Sequence, residues 1–350
     1  MFWSSLNSGS DPPRKVAWNC FLRAVVCVFL GSVAARGQAC QAGEELETSI
    51  RSALDATALQ FFGLAAKGDA AGLRSFAIPS VSDDFSGIAK AVQDSQAGLA
   101  QAKSTVRSEF LLIAAGDAPL GRVEFLCGVF GKSGQTASSA VFTLNNLPPG
   151  RYGVVILDAS GNNTASDSGP QTVSFILQDF GTAWKLGGFY VKSALAAGHD
   201  SKWFAEQARA FAAKGQVHNA WYYVLEARNL ASAVPFMSTR ETDRLFDDAQ
   251  KVAAADAPEG LPPGLAAGGK VFKVKAVFAY GIAGAVNLVV KYEAADVSDS
   301  VKAFSDNQAV ARALVAKWPE LREGFEAIVA RATEPSGKDF GTLVDLKSLK

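Results

Sequence analysis

The sequence predicts an α+β fold: N-terminal helices and a curved antiparallel sheet, then a helical hairpin, then a small α+β domain. Three patterns support this. Apolar residues recur at helical spacing in residues 44–103 and 199–255, and they alternate at strand spacing in 107–192. Strand spacing returns at the start of 270–350. Because helices and strands come in blocks rather than in alternation, a regular parallel sheet is excluded.

Composition narrows the classes of function. The 350 residues carry 34 basic and 34 acidic side chains, so there is no basic excess and we expect no nucleic-acid partner. The 23 Phe and 6 Trp indicate packed cores rather than a disordered chain. Only two His are present, and no cysteine or histidine spacing is typical of a metal site, so we expect no metal and no cofactor.

Residues 1–39 are predicted to be a signal peptide. Basic residues precede an apolar run at 24–35, which is shorter than the roughly 20 residues of a membrane span. Gly37 and Ala39 have the spacing that signal peptidase recognises, which predicts cleavage after Ala39. We therefore expect a periplasmic or extracellular protein with no stable membrane span in the mature chain. An uncleaved anchor is the alternative.

The mature chain would keep two of the four cysteines, Cys40 and Cys127. Cleavage would place Cys40 first, as in lipoproteins, but Gly37 and Gln38 fit the bacterial lipoprotein motif poorly. An exported pair could form one disulfide. Cys127 also shares the apolar face of a strand with Phe125, so a buried free thiol is equally compatible with the pattern.

The first domain, 40–193, begins with three predicted helices. One covers 44–67, Asp69 caps a short second one, and a third lies at about 84–103. Six predicted strands form three hairpins, with Trp184 and Phe189 as core anchors of the last. The strands are 107–115, 122–130, 139–144, 151–159, 172–180 and 183–192.

The segment 199–256 is predicted to be helical, divided at Gly215 and with a third helix capped by Thr239. Pro and Gly in 257–269 predict a linker, and 270–350 a small α+β domain. Its predicted parts are strands at 270–280, 285–294 and 341–349, a helix at about 305–318, and an ambiguous stretch at 324–332.

The helical segment carries more large apolar side chains than its short helices can cover. Only the short link 194–198 joins it to the first domain. We therefore expect it to pack on the outside of that domain, with the C-terminal domain as the looser partner.

Residues 175–179 (FILQD) and 184–190 (WKLGGFY) resemble the last two strands of the nuclear transport factor two, ketosteroid isomerase and SnoaL-like superfamily. The resemblance implies a cone whose interior holds a small apolar molecule, lined by an acidic base and hydrogen-bond donors. The available acids and donors on strands are Glu109, Glu124, Asp158, Tyr152 and Tyr190. Strand alternation predicts that Glu124 points outward. None of these residues can be assigned a catalytic role from the sequence.

Two further resemblances concern parts of the chain. Residues 142–144 with 147–152 resemble a strand–turn–strand of carboxypeptidase-regulatory-like immunoglobulin sandwiches, an alternative fold for this region. The helical segment resembles one tetratricopeptide hairpin, which implies a protein partner. Its matching positions are Ala208, Phe211, Gly215, Ala220, Val224 and Ala227.

The sequence thus predicts an exported, non-enzymatic protein that works by binding or assembly, with a possible protein partner at the helical segment. The alternative is a carrier of a small apolar molecule, or an isomerase- or cyclase-type enzyme acting on one, in the cone interior.

Overall fold

The structure, a computed structural model, describes residues 38–128, 139–161, 169–262 and 264–349. The predicted signal peptide lies outside these ranges except for its last two residues. The architecture is α+β in the predicted order: helices and an antiparallel sheet, then a helical group, then a small mixed sheet with a helix.

The N-terminal unit consists of β1 (Ala39–Ala42), α1 (Thr48–Ala66), α2 (Ala70–Ser75), α3 (Pro79–Asp83), α4 (Ser86–Leu99), β2 (Lys103–Ala114), β3 (Leu120–Cys127), β4 (Ala140–Leu147), β5 (Gly150–Ser160), β6 (Gln171–Asp179) and β7 (Trp184–Ser193). The helical segment consists of α5 (Ser201–Ala213), α6 (Val217–Ala231), β8 (Met237–Thr239) and α7 (Arg240–Lys251). The C-terminal unit consists of β9 (Leu265–Ala267), β10 (Lys270–Phe272), β11 (Val274–Ile282), β12 (Ala285–Glu293), α8 (Ser300–Lys317), α9 (Leu321–Gly324), β13 (Ala327–Thr333) and β14 (Asp339–Asp345).

Five strands form the main antiparallel sheet in the order β1-β2-β5-β6-β7, and helices α1 to α4 cover one of its faces. Leu54 and Phe61 of α1 are fully buried there, and the Phe61 ring meets Phe175 of β6 edge-on at 6.0 Å. The predicted cap forms, because the Asp69 carboxylate accepts a hydrogen bond from the Gly72 amide at 2.8 Å. This face is therefore a closed apolar core.

The opposite face of the main sheet is covered by a second sheet, β3-β4-β8. Phe110 of β2 meets Phe142 of β4 edge-on at 5.0 Å. The predicted hairpins β2–β3 and β4–β5 are wrong, since β3 pairs with β4 and β5 pairs with β2 and β6, whereas β6–β7 is confirmed. The reason is that β2 and β5 are apolar on both faces, so the β3–β4 pair is needed to cover the second one.

A disulfide between Cys40 and Cys127 joins β1 of the main sheet to β3 of the second sheet, with Cα atoms 4.9 Å apart. Of the two states left open by the sequence, the structure has the bonded one. The Cys40 sulfur is consequently not available for the thioether of a lipoprotein.

The helical segment shares its core with the C-terminal unit, contrary to the expected packing on the N-terminal unit. Tyr222 and Tyr223 of α6 are buried against Phe325, with ring centroids 6.4 and 5.5 Å away. The turn after α6, with Val234 and Phe236, joins the core of the N-terminal unit, and β8 pairs with β4 at the edge of its second sheet. The sequence shows that α6 is apolar on most sides, so these faces must be buried against another unit. The pattern does not specify which unit that is.

The described residues of 257–269 contain packed elements rather than an extended linker. The Tyr222 hydroxyl donates to the Gly260 carbonyl at 2.8 Å, within a 3-10 turn at Pro258–Gly260, and β9 pairs with β10. The C-terminal sheet has the order β11-β12-β13-β14, in which β12 and β13 are parallel and α8 lies between them in sequence. The ambiguous stretch at 324–332 is mainly strand β13.

Candidate functional site

The predicted acid Glu109 lies on the helix-covered side of the main sheet, in an ion pair with Arg51 of α1 at 3.0 Å. Burial raises the pKa of Glu109, the negative charge of Asp55 raises it further, and Arg51 opposes both. This carboxylate therefore has a structural partner on the neighbouring helix.

The other two predicted acids are at the surface. Asp158 pairs with Arg107 at 3.3 Å, where a bulge in β2 displaces Arg107 from the regular register. Glu124 points outward, as strand alternation predicts, and lies 3.5 Å from Arg122. Exposed pairs of this kind contribute little to stability and do not define a pocket.

The two predicted tyrosines lie on the face covered by the second sheet. The Tyr152 hydroxyl donates to the Pro148 carbonyl at 2.8 Å. Tyr190 packs edge-on against Phe236 at 5.7 Å, and burial raises its pKa to about 12. The structure therefore does not bring the five predicted residues into one site.

The interior of the N-terminal unit contains a small apolar cavity of about 70 Å³ beside Ile78, Tyr152 and Ile176. Small-molecule sites usually measure about 300–1,000 Å³. This cavity is thus smaller than a typical site for the apolar ligand that the cone resemblance implies.

A much larger cavity of about 670 Å³ lies where the three units meet, and we call it the junction cleft. Its described walls come from the end of β7, the link at 193–198, the C-terminal part of α6 and the β11–β12 turn. All three units are therefore needed to form it.

Two tight turns form one side of the junction cleft. Ala197 and Gly198 have φ angles of +51° and +80°, and Ala283 and Gly284 have +50° and +76°. Positive φ at both central residues is typical of a type I′ turn. The turns touch through their main chains, because a Cβ on Gly281 would lie 2.2 Å from the Ala197 nitrogen. This wall is therefore built of backbone.

The floor of the cleft holds two charged side chains, Lys192 of β7, which is partly buried, and Glu226 of α6, which is buried. The Lys192 ammonium donates to the Ser232 carbonyl at 2.8 Å and to the Asn229 carbonyl. The Asn229 amide donates to Glu226 Oε2 at 3.2 Å. Lys192 thereby binds the carbonyls at the end of α6, where the helix dipole favours a cation.

Burial shifts both groups toward their neutral forms. It lowers the pKa of Lys192 to about 8, an effect that the negative charge of Glu226 opposes and the positive charge of Arg107 reinforces. It raises the pKa of Glu226 to about 7, against the Asn229 hydrogen bond and the charge of Lys192. Perturbed ionisable groups in a cleft are typical of functional sites.

Sequence reasoning missed both residues of the floor. Glu226 follows Tyr222 and Tyr223 at four and three residues, so its helical position lies on a face rich in large side chains, and this signal could have identified it. Lys192 gives no comparable signal, since a lysine at the end of a strand is usually solvated.

Comparison with protein families, curated proteins and solved structures gives no match to the chain. Within the described ranges, no three His, Cys, Asp or Glu side chains are grouped as metal ligands. The helices described by the structure include none that is both long and apolar enough to cross a membrane.

Proposed function

We propose that this chain is an exported binding protein of the periplasm or extracellular space, without catalytic activity, and that a small molecule binds in the junction cleft. One observation carries the proposal: a cleft of about 670 Å³ has two oppositely charged side chains on its floor, the buried Glu226 and the partly buried Lys192. Its volume lies in the range of about 300–1,000 Å³ that small-molecule sites occupy.

The Cys40–Cys127 disulfide supports export, since such bonds persist in oxidising compartments and are rare in the cytosol of most organisms. The bond joins two sheets of the N-terminal unit, so it fixes the scaffold and not the cleft.

The engagement of Lys192 favours binding over catalysis. An amine acts as a base or nucleophile through its nitrogen lone pair. Lys192 donates hydrogen bonds to two backbone carbonyls as an ammonium, which has no free lone pair. The same contacts hold the charge in a fixed position, which suits recognition.

A small molecule is also favoured over a protein partner at the helical segment. The large aromatic side chains of α6 that could form such a surface, Trp221, Tyr222 and Tyr223, are buried within the chain. Their packing on the C-terminal unit accounts for them without a partner.

The test is thermal unfolding of the full mature chain with amino acids, saccharides, polyamines and nucleosides, each at about 10 mM. A ligand at 100 times its Kd stabilises the folded state by about 2.7 kcal/mol. At least one class should raise the Tm of the wild type but not that of Leu195→Trp, which adds bulk at the cleft wall. Leu59→Trp, on the exposed side of α1, is the control. Equal responses of the wild type and Leu195→Trp would contradict the proposal.

A further inference from the structure

We propose that the junction cleft binds a small zwitterion of the amino-acid type, with its ammonium on Glu226 and its carboxylate on Lys192. This inference rests on the proposed function and specifies its ligand.

The charges of the cleft are the first argument. Among the described lining residues, Lys192 and Glu226 are the only two with charged side chains. They come from different units, β7 and α6, and no direct ion pair between them occurs within 4.0 Å in the described structure. A ligand that satisfies both must itself carry one positive and one negative group.

The unused hydrogen-bonding capacity of the two groups is the second argument. An ammonium has three donors, and Lys192 uses two of them on backbone carbonyls. The Asn229 amide contacts Glu226 Oε2, whereas Oε1 has no donor among the residues that the structure describes. Lys192 therefore keeps one donor and Glu226 one acceptor atom for a ligand.

Burial makes a singly charged ligand unfavourable. Glu226 is only 7% exposed, so pairing it with a ligand charge occurs at low dielectric, where charge-assisted hydrogen bonds are strong. A ligand that pairs with one group and excludes water from the other leaves the second charge without water and without an opposite charge, which is costly. The two ends of a zwitterion avoid this penalty.

The rest of the wall indicates what the ligand carries between or beside its charges. Leu195, Leu230 and Tyr280 provide apolar surface, and the Ala-Gly turns leave room because their side chains are small. This combination favours an amino acid with an apolar side chain, such as leucine, over glycine.

The test uses calorimetry of the full mature chain with L-leucine and three analogues. N-acetyl-L-leucine lacks the ammonium, L-leucinamide lacks the carboxylate, and isocaproate lacks the amino group altogether. L-leucine should bind, and each analogue should bind at least about tenfold more weakly, since each leaves one charge of the cleft without an opposite charge. Equal affinity of leucine and its analogues would overturn the inference.

The matched variant is Glu226→Gln, which keeps an oxygen for the Asn229 amide but loses the charge. It should bind leucine at least about tenfold more weakly. Because an ammonium pairs with the ionised carboxylate, wild-type affinity should rise between about pH 5 and 8, while that of Glu226→Gln should change little. Unchanged binding by the variant, or a flat profile in the wild type, would contradict the assignment.

The two proposals fail differently in these experiments. If a saccharide or nucleoside raises the Tm and leucine does not, the zwitterion is wrong and the junction cleft remains a binding site. If no class raises the Tm in a manner sensitive to Leu195→Trp, both proposals are wrong.

Discussion

The imidazole of His218 on α6 stacks on the indole of Trp318, with ring centroids 4.2 Å apart and planes inclined by 22°. Its Nδ1 lies 2.5 Å from Glu320 Oε1 and its Nε2 lies 2.9 Å from Asp256 Oδ1. The Trp318 indole also donates to Asp256, at 2.7 Å. One buried histidine thus connects the helical segment to the stretch before the linker and to the C-terminal unit.

Replacing His218 with Gln should destabilise the protein by about 1–3 kcal/mol. The stacking and one carboxylate contact are lost, while solvent at the half-exposed Asp256 limits the cost. Urea unfolding near pH 6 measures it. The only other histidine, His199, stacks on Trp203 at 3.7 Å, so His199→Gln is the control and should cost less than about 1 kcal/mol. Equal losses in the two variants would show that the carboxylate contacts contribute nothing.

The last hairpin of the main sheet has one strong anchor and one weaker one. Phe189 is buried and packs on Phe175 with ring centroids 5.4 Å apart, whereas Trp184 is only partly buried. Phe189→Ala should therefore cost about 3–4 kcal/mol and Trp184→Ala less than about 2 kcal/mol, since cavity formation requires a buried side chain. Chemical denaturation of both variants checks this order. A larger loss of stability for Trp184→Ala would instead support the expectation from the sequence that Trp184 and Phe189 are both core anchors.

The disulfide closes a long loop, with a sequence separation of 87 between Cys40 and Cys127. Reduction should lower the free energy of unfolding by about 2–4 kcal/mol, because the unfolded chain gains conformational freedom. Urea unfolding with and without dithiothreitol measures the difference. The double variant Cys40→Ala with Cys127→Ala is the control, and it should resemble the reduced wild type and not respond to the reductant. A response of the control to dithiothreitol would rule out this explanation.

The sequence predicts local features of this fold better than its pairings. Period-two alternation correctly places Cys127 on a buried strand face, but only the packing of two sheets brings Cys40 within bonding distance. The gap between the predicted strands 107–115 and 122–130 correctly indicates a loop between β2 and β3, yet a loop does not determine which strands pair. Strand partners depend on which apolar faces need cover, and that is a property of the whole chain.

The pairing of residues in the candidate site was beyond sequence reasoning for the same reason. Lys192 and Glu226 are 34 positions apart and meet only because α6 returns to the end of β7. The acids that strand patterns did indicate, such as Asp158 and Glu124, have surface partners instead. Ordinary charged residues become unusual through burial, which long-range packing decides.

The β11–β12 turn contains a residue that is poorly suited to its conformation. Ala283 has a φ angle of +50°, in the left-handed region that costs most residues about 1–2 kcal/mol, while Asn tolerates it better. Ala283→Asn should therefore raise stability by about 0.5–1 kcal/mol. Gly284→Ala, at φ +76°, is the opposite control and should lower stability. Thermal unfolding of both variants shows whether each change raises or lowers the stability. Destabilisation by Ala283→Asn would contradict the strain argument.

The pH dependence of stability should carry a signature of Glu226. Burial raises the pKa of Glu226 from 4.5 to about 7, so the folded state holds this proton more tightly than the unfolded state. The resulting stabilisation is fully present below about pH 4.5 and is lost as pH rises through about 7. Glu226→Gln cannot ionise, so its stability relative to the wild type should rise by up to about 3 kcal/mol across that interval.

Urea unfolding of the wild type and Glu226→Gln at intervals between about pH 4 and 8 measures this difference, since other titrating groups cancel in the comparison. Glu206→Gln, exposed on α5, is the control, and its difference from the wild type should stay nearly constant. Above about pH 8 the stability should instead rise with pH, because of Lys192. Burial lowers the pKa of Lys192 from 10.5 to about 8, so the unfolded state binds more protons than the folded state in this range. Parallel curves for the wild type and Glu226→Gln would mean that the carboxylate is solvated in the folded protein, and the floor of the junction cleft would then lack the buried acceptor on which ligand recognition depends.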